Sequence, residues 1–248
     1  MISIAEDPVT TGTFYLGTDT GVFRSTNSGE NWYPISSGLP SGVGISAILP
    51  VGNSTTLYAV AGQSGLYTSP NSGTSWTAVP IPSGQSVIRA LALGGSPQVL
   101  YAATLGAGFI KSSNTGQSWA PAISLANVQT VTSVVIVDPS NPQTVYAATG
   151  GSGVQKSLDG GFTWQPAING LTQLYIVAMV MDPTNSSVLY AGTAQGGVFQ
   201  TQNGGQSWTP LLNGLYDLNV VSLSIDPLNH NILYAGTEGA GVFRLQTQ

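Results

Sequence analysis

STNSGENW from Ser25 is the first of five copies of one phrase; the others are SPNSGTSW from Ser69, SSNTGQSW from Ser112, SLDGGFTW from Ser157 and TQNGGQSW from Thr201. Each ends on a tryptophan (Trp32, Trp76, Trp119, Trp164, Trp208), and the spacings are 44, 43, 45 and 44 residues. A period of about 40–50 residues built from short strands is that of a β-propeller blade. The phrase explains itself locally. Asn27, Asn71, Asn114, Asp159 and Asn203 put a short acceptor side chain where it can bond backbone N–H groups further along the turn. Two residues later Gly29, Gly73, Gly116, Gly161 and Gly205 suit the positive φ of a tight hairpin. The tryptophan is then expected to lay its ring over that hairpin, in the same way in every repeat.

Outward from the phrase, each unit reads as four segments. Segment A is a β-branched or small-residue run such as Val220-Val221-Ser222-Leu223-Ser224-Ile225. It ends in Asp-Pro at Asp7-Pro8, Asp138-Pro139, Asp182-Pro183 and Asp226-Pro227, and in Leu49-Pro50 and Gly94-Gly95 in the second and third units. Proline cannot donate to a ladder and aspartate caps its own turn, so these acids are expected to be turn residues. Segment B carries Tyr15, Tyr58, Tyr101, Tyr146, Tyr190 or Tyr234, segment C follows a glycine, and segment D starts at the tryptophan. Segments A, B and C occur six times and D five times. Hairpins without helices between them exclude a βαβ design, and such sheets bury both faces by stacking around an axis. The sequence therefore predicts an all-β, six-bladed propeller of four-stranded antiparallel blades, the last lacking its outer strand. It is one domain over 1–248, with units at 1–43, 44–86, 87–130, 131–174, 175–218 and 219–248.

Composition narrows the partners. Charged residues are 6% of the 248, against about 25% in an average soluble domain. Net charge is −5 with five basic residues, so no basic footprint for nucleic acid or anionic membrane exists. Cysteine is absent, which removes disulfides, thiol nucleophiles and cysteine-based metal sites. No apolar run nears the ~18 residues of a membrane span, and the start MISIAEDPVTT has no signal-peptide pattern. The neutral Ser/Thr/Asn-rich surface points to an extracellular or cell-surface setting.

The phrase resembles the Asp-box (BNR) repeat, S-x-D-x-G-x-x-W, of sialidase-like, sortilin-type, xyloglucanase and photosystem II assembly factor propellers. Five copies in register cover nearly the whole chain. Four of them carry Asn where the family usually has Asp; only Asp159 keeps the acid. The resemblance implies a propeller in which the box is a peripheral fold element without catalysis. It does not bring a sialidase site with it. That chemistry needs an arginine cluster, an activated Tyr with a Glu, and a separate Asp. The chain has only Arg24, Arg89 and Arg244, with the first and last at one repeat position. Xyloglucanases are much larger, with two propellers enclosing a cleft, and no acid pair here matches theirs.

The one departure from the repeat that concentrates acids and aromatics is in the loops. Four residues after the segment B tyrosine stand Asp19 and Glu238, where the other units have Gly62, Leu105, Gly150 and Ala194. The D–A loops add Tyr175, Tyr216, Asp217 and Asn219. These six residues are the candidate binding site, on the expectation that Asp19 and Glu238 approach one another across a closed ring. No catalytic residue, metal ligand or cofactor is assigned, and His230 is expected to be a solvated loop residue. The expected function is a non-enzymatic module binding a protein or glycan through its loop face. Alternatives are a sialidase-like glycoside hydrolase or a degenerate relative of one, and a lectin. The last unit reads Gly241-Val242-Phe243-Arg244-Leu245-Gln246-Thr247-Gln248 after segment B. Its missing D strand leaves the edge from Val242 to Gln248 open, and that edge is expected to be completed by a further strand, either by self-association with a second copy or from a downstream part of the native polypeptide.

Overall fold

The computed structural model describes residues 3–52, 55–82, 87–95, 98–105, 108–123, 132–211 and 214–247. Gln248 of the expected open edge lies outside them. The described residues form six antiparallel sheets, five of four strands and one of three. Blade one holds β1 (Ser3–Glu6), β2 (Phe14–Thr18), β3 (Gly21–Ser25) and β4 (Tyr33–Pro34). Blade two holds β5 (Ile45–Pro50), β6 (Leu57–Ala61), β7 (Leu66–Ser69) and β8 (Thr77–Ala78), with a 3-10 turn at Gly62–Ser64. Blade three holds β9 (Ile88–Gly94), β10 (Val99–Thr104), β11 (Gly108–Ser112) and β12 (Ala120–Ile123). Blade four holds β13 (Thr132–Val137), β14 (Val145–Thr149), β15 (Gly153–Ser157) and β16 (Gln165–Pro166). Blade five holds β17 (Ile176–Met181), β18 (Leu189–Thr193), β19 (Gly197–Thr201) and β20 (Thr209–Leu211). Blade six holds β21 (Val220–Ile225), β22 (Ile232–Thr237) and β23 (Gly241–Gln246). The chain is a six-bladed β-propeller whose last blade has three strands.

The contacts divide into two compact units. One comprises Met1–Leu93, Pro97–Leu105 and Ile110–Pro121; the other comprises Gly94–Ser96, Gly106–Phe109 and Ala122–Gln248. In the first, Tyr15 and Val22 of blade one pack on Ile45, Ile48, Leu57 and Trp76 of blade two. In the second, Tyr146 and Val154 of blade four meet Met179, Leu189, Phe199 and Trp208 of blade five. Tyr190 and Val198 of blade five meet Leu233, Ala235 and Leu245 of blade six. Within each unit the cores described lie between blades. This is what a sheet with two apolar faces requires, and each fully buried large side chain contributes about 1.5–3 kcal/mol.

Because both faces of the second strand are covered, β6, β14 and β18 are buried at every position. Small residues beside the tyrosine let the next sheet come close. A Cβ built at Gly192 would stand 2.6 Å from Val220 of blade six, and one at Gly17 would stand 2.7 Å from the Ile45 carbonyl oxygen of blade two. The first strand of blades two, four, five and six slips register at its start, a bulge of the kind that adds twist to a sheet.

Candidate functional site

The two ends of the blades differ in how their polar groups are used. One end carries the Asp-Pro turns and the tryptophan-phrase turns. In the phrase the first hydroxyl donates to the third side chain, Ser25 to Asn27 at 2.9 Å and Ser157 to Asp159 at 2.7 Å. It also accepts from the glycine N–H, at 2.9 Å in Gly29 and 2.8 Å in Gly73 and Gly116. The third side chain accepts the N–H four residues on, from Asn31, Ser75, Ser118, Thr163 and Ser207. The fourth residue has positive φ as well as the fifth, at 58° in Ser28, 53° in Ser72 and 57° in Thr115. Two successive positive φ values are those of the mirror-image turn that matches strand twist.

The tryptophans do not all cover their own hairpins alike. The indole N–H of Trp76 donates to the Ile35 carbonyl at 2.7 Å, that of Trp119 to Pro80 at 2.7 Å, and that of Trp208 to Ala167 at 2.9 Å. Each acceptor lies just after the last strand of the preceding blade, so these rings seal a joint. Trp32 and Trp164 instead turn back on Gly29 and Gly161, at 2.9 and 3.1 Å, and Trp164 also stacks on Phe109. A buried indole N–H needs an acceptor, and the neighbouring blade decides which one is in reach.

The Asp-Pro carboxylates are occupied in turns. Asp7 accepts from Val9 N–H, Thr10 N–H and the Tyr15 hydroxyl. Asp138 accepts from both groups of Ser140 and from Asn141, and Asp182 from both groups of Thr184 and from Asn185. Burial pushes all three carboxyls up, yet the donors converging on them prevail and hold each below its ordinary value. Asp226 is also lowered, first by the Leu228 N–H, and Asp159 is held far down by the hydroxyl and N–H of Thr163. His230 is not a free loop residue: its Nδ1 lies 3.5 Å from Asp182 Oδ1 and 3.1 Å from Thr184 Oγ1, both on the preceding blade.

At the other end the hairpin turns are braced by one repeated contact. The hydroxyls of Thr18, Thr149, Thr193 and Thr237 donate to the carbonyls of Gly21, Gly153, Gly197 and Gly241 at 2.8–3.0 Å. Beyond that contact the loops vary. Asp217 accepts from Asn219 N–H at 3.0 Å and from Gly239 N–H at 2.8 Å, and these donors lower its pKa. Glu238 N–H donates to the Asn219 carbonyl at 3.0 Å, leaving the exposed glutamate side chain beside this knot. Tyr216 stands 78% exposed, propped edge-on against Phe243 with ring centroids 4.7 Å apart.

Tyr216, Asp217, Asn219 and Glu238 are thus brought together on blade six. Tyr175 sits one blade earlier, half exposed, its ring over Gly150 and its carbonyl accepting from Ala194 N–H. Asp19 is exposed in the β2–β3 turn of the first unit. Two supporting residues escaped sequence reasoning. Phe243 carries Tyr216. Gln173, aligned with Asp217, accepts from Leu174 and Tyr175 N–H in the same manner. The repeat register itself held the signal for Gln173. Among the described residues no cluster of three or more histidines and acids could hold a metal, and no helix is long and apolar enough to cross a membrane.

Fold and site together define a β-propeller with one end stitched by repeated turns and one end of individual loops. No family model matches the chain. A xyloglucanase of Hypocrea jecorina (strain QM6a) is 40% identical over 96 residues, which is 38% of this chain and 12% of that enzyme. Among solved structures, an ancestral GH74 enzyme superposes with a TM-score of 0.80 at 24% identity, over 98% of this chain and 36% of the enzyme. The GH74 enzyme of Niastella koreensis gives 0.79 at 22%, over 98% of this chain and 44% of that one. YCF48 bound to D1 peptide gives 0.70 at 14%, over 96% and 76%. At such identities these structures establish the fold, and the chain spans less than half the length of these two GH74 enzymes.

Proposed function

We propose that the chain is a non-hydrolytic propeller module of the Asp-box type that binds a neutral glycan through the loop face of blade six. The observation that carries this reading is Tyr216. It is a large aromatic ring, mostly exposed yet set edge-on against Phe243, beside the Asp217 carboxylate that the Asn219 and Gly239 N–H groups hold in place. A fixed apolar ring rimmed by hydrogen-bonding groups suits the flat face of a sugar, and loops on a rigid scaffold are the usual place for it. Such a ligand places the module outside the cell. The partial identity to a xyloglucanase makes β-glucans the first glycans to test.

Against hydrolysis stands the state of the acids. A glycosidase needs two carboxyls about 5–9.5 Å apart, one of them with a raised pKa. Six of the seven aspartates, Asp7, Asp138, Asp159, Asp182, Asp217 and Asp226, are shifted down by donors instead. The second reading is that this chain is the propeller portion of a GH74-type hydrolase, and the local identity to the xyloglucanase favours it.

Calorimetry with soluble xyloglucan, set beside an assay for new reducing ends, separates the two. Binding that weakens at least tenfold in Tyr216→Ala, with no reducing ends released, is the expected result. Release of reducing ends overturns the non-hydrolytic reading, and binding indifferent to Tyr216→Ala overturns the site.

A further inference from the structure

Shortly after the outer strand of blades one, four and five the sequence repeats a four-residue stretch: Ser36-Ser37-Gly38-Leu39, Ile168-Asn169-Gly170-Leu171 and Leu212-Asn213-Gly214-Leu215. The first two are tight turns, closed by the leucine N–H donating to the Ser36 carbonyl at 3.0 Å and to the Ile168 carbonyl at 2.9 Å. Asn213 lies outside the described residues. In these turns the glycine is obligatory. Its φ is 93° in Gly38 and 87° in Gly170, and a Cβ on either would collide with the carbonyl of the next blade's tryptophan, Trp76 or Trp208. The residue before the glycine is not so constrained. The joint uses its main-chain carbonyl, which accepts from Trp76 N–H in Ser37 and from Trp208 N–H in Asn169, both at 2.8 Å. Serine and asparagine serve equally.

Asparagine brings a reactivity that serine lacks. Its side-chain amide carbon lies within reach of the next residue's backbone nitrogen, and glycine puts no side chain in the way of that approach. The trans peptide that aims the Asn169 carbonyl at Trp208 aims the Gly170 N–H the opposite way. Among the described residues that N–H has no acceptor, and both residues are exposed. The Asn169 amide makes a single contact among the described residues, from Nδ2 to the Gln206 carbonyl at 3.2 Å. Asn203-Gly204 is the contrasting pair. Gly204 is buried and its N–H donates to the Ser187 carbonyl at 2.8 Å. The Asn203 side chain is bonded to the Thr201 hydroxyl, the Ser207 N–H and the Ser207 hydroxyl.

We infer that Asn169 is a site of spontaneous deamidation, and that its conversion loosens the joint between blades four and five. The Gly170 nitrogen, having lost its proton to base, attacks Asn169 Cγ. A C–N bond forms, the Cγ–Nδ2 bond breaks, and ammonia leaves a succinimide ring behind. Closure requires the Asn169–Gly170 peptide to swing its nitrogen toward Cγ, and the bond from Trp208 N–H is what opposes that swing. Water then opens the ring at either carbonyl, giving aspartate, or isoaspartate with the chain running through Cγ. The sum is amide plus water to carboxylate plus ammonium, which adds a negative charge to the net −5. In both products the donor to the Gln206 carbonyl is gone. In isoaspartate the carbonyl that accepted from Trp208 has become a free carboxylate, on a backbone lengthened by a methylene.

Incubation of the full chain at mildly alkaline pH, followed by peptide mapping that separates aspartate from isoaspartate, tests the site. Asn169→Ser, which copies the turn of blade one, is carried in parallel. Conversion at Asn169 is expected to be about tenfold or more faster than at Asn203, whose turn must first open locally. The melting temperature is expected to fall with incubation in the unmodified chain and to fall less in Asn169→Ser; any conversion at Asn213 is common to both and cancels. An Asn169 that stays an amide, or converts no faster than Asn203, overturns the site. An equal fall in the two chains overturns its effect on the joint.

Discussion

Blades five and six contain the same five residues in a row, Leu189-Tyr190-Ala191-Gly192-Thr193 and Leu233-Tyr234-Ala235-Gly236-Thr237, on the same strand of the sheet. The strands are alike in pairing and hairpin brace, yet the tyrosine is 1% exposed in one and 36% in the other. A Cβ at Gly192 would collide with Val220 of the next blade; one at Gly236 would meet only Ser222 of its own sheet. Local structure follows from the five residues. Burial does not, because it belongs to whatever sheet comes next.

That contrast is most severely tested at Val198 and Val242. Val198→Asp places an uncompensated charge in the blade five–six core and is expected to cost about 4 kcal/mol or more, enough to prevent folding. Val242→Asp should change stability by no more than about 0.5 kcal/mol. Urea titrations that find equal losses would break the comparison.

Trp208→Ala removes a ring that is 3% exposed and orphans no acceptor other than the Ala167 carbonyl; a loss of about 3–4 kcal/mol is expected. Trp32→Ala, whose indole is bonded to its own turn, should cost less than half as much in the same measurement.

The Asp-Pro turns sharpen the contrast through pH. Asp182 has a lowered folded pKa, so its contribution is fully present above the unfolded value near 3.8 and is lost as pH falls through the folded one. Asp182→Asn should cost about 1.5 kcal/mol at neutral pH and flatten the acid limb of the stability curve below about pH 4. A melting profile against pH identical to that of the unmodified chain would contradict this.

The smallest effect expected concerns single hydroxyls. Tyr146→Phe removes the bond to Gly204 across a joint and should cost about 1 kcal/mol, whereas Tyr234→Phe should cost close to nothing. Tyr146 also titrates late, pushed up to about 12 by burial and then by the charge of Asp138. Its stabilisation is therefore present below pH 10 and is lost as pH rises from there towards 12.

Much of the fold was legible because its determinants are local. Turn chemistry at Asp-Pro and at the phrase glycines, alternation within short strands, and a period near 44 residues each act over a few positions, and all point to stacked hairpin blades. The absent fourth strand of blade six was legible for the same reason. The candidate site was legible only in part. Departures from the repeat picked out Tyr216, Asp217, Asn219 and Glu238. The support from Phe243 depends on a β23 side chain crossing to a loop 27 positions earlier.

The sequence by itself determined the blades: their number, their turns and the order of their strands. Only the tertiary structure decided what each blade touches. Trp208 reaches a carbonyl 41 positions back while Trp32 folds onto its own turn, and His230 meets Asp182 from 48 positions away. The physical reason is range. Backbone dihedrals and turn bonds are settled within one hairpin, whereas burial and the acceptor an indole or phenol finds are settled by a second sheet arriving against the first.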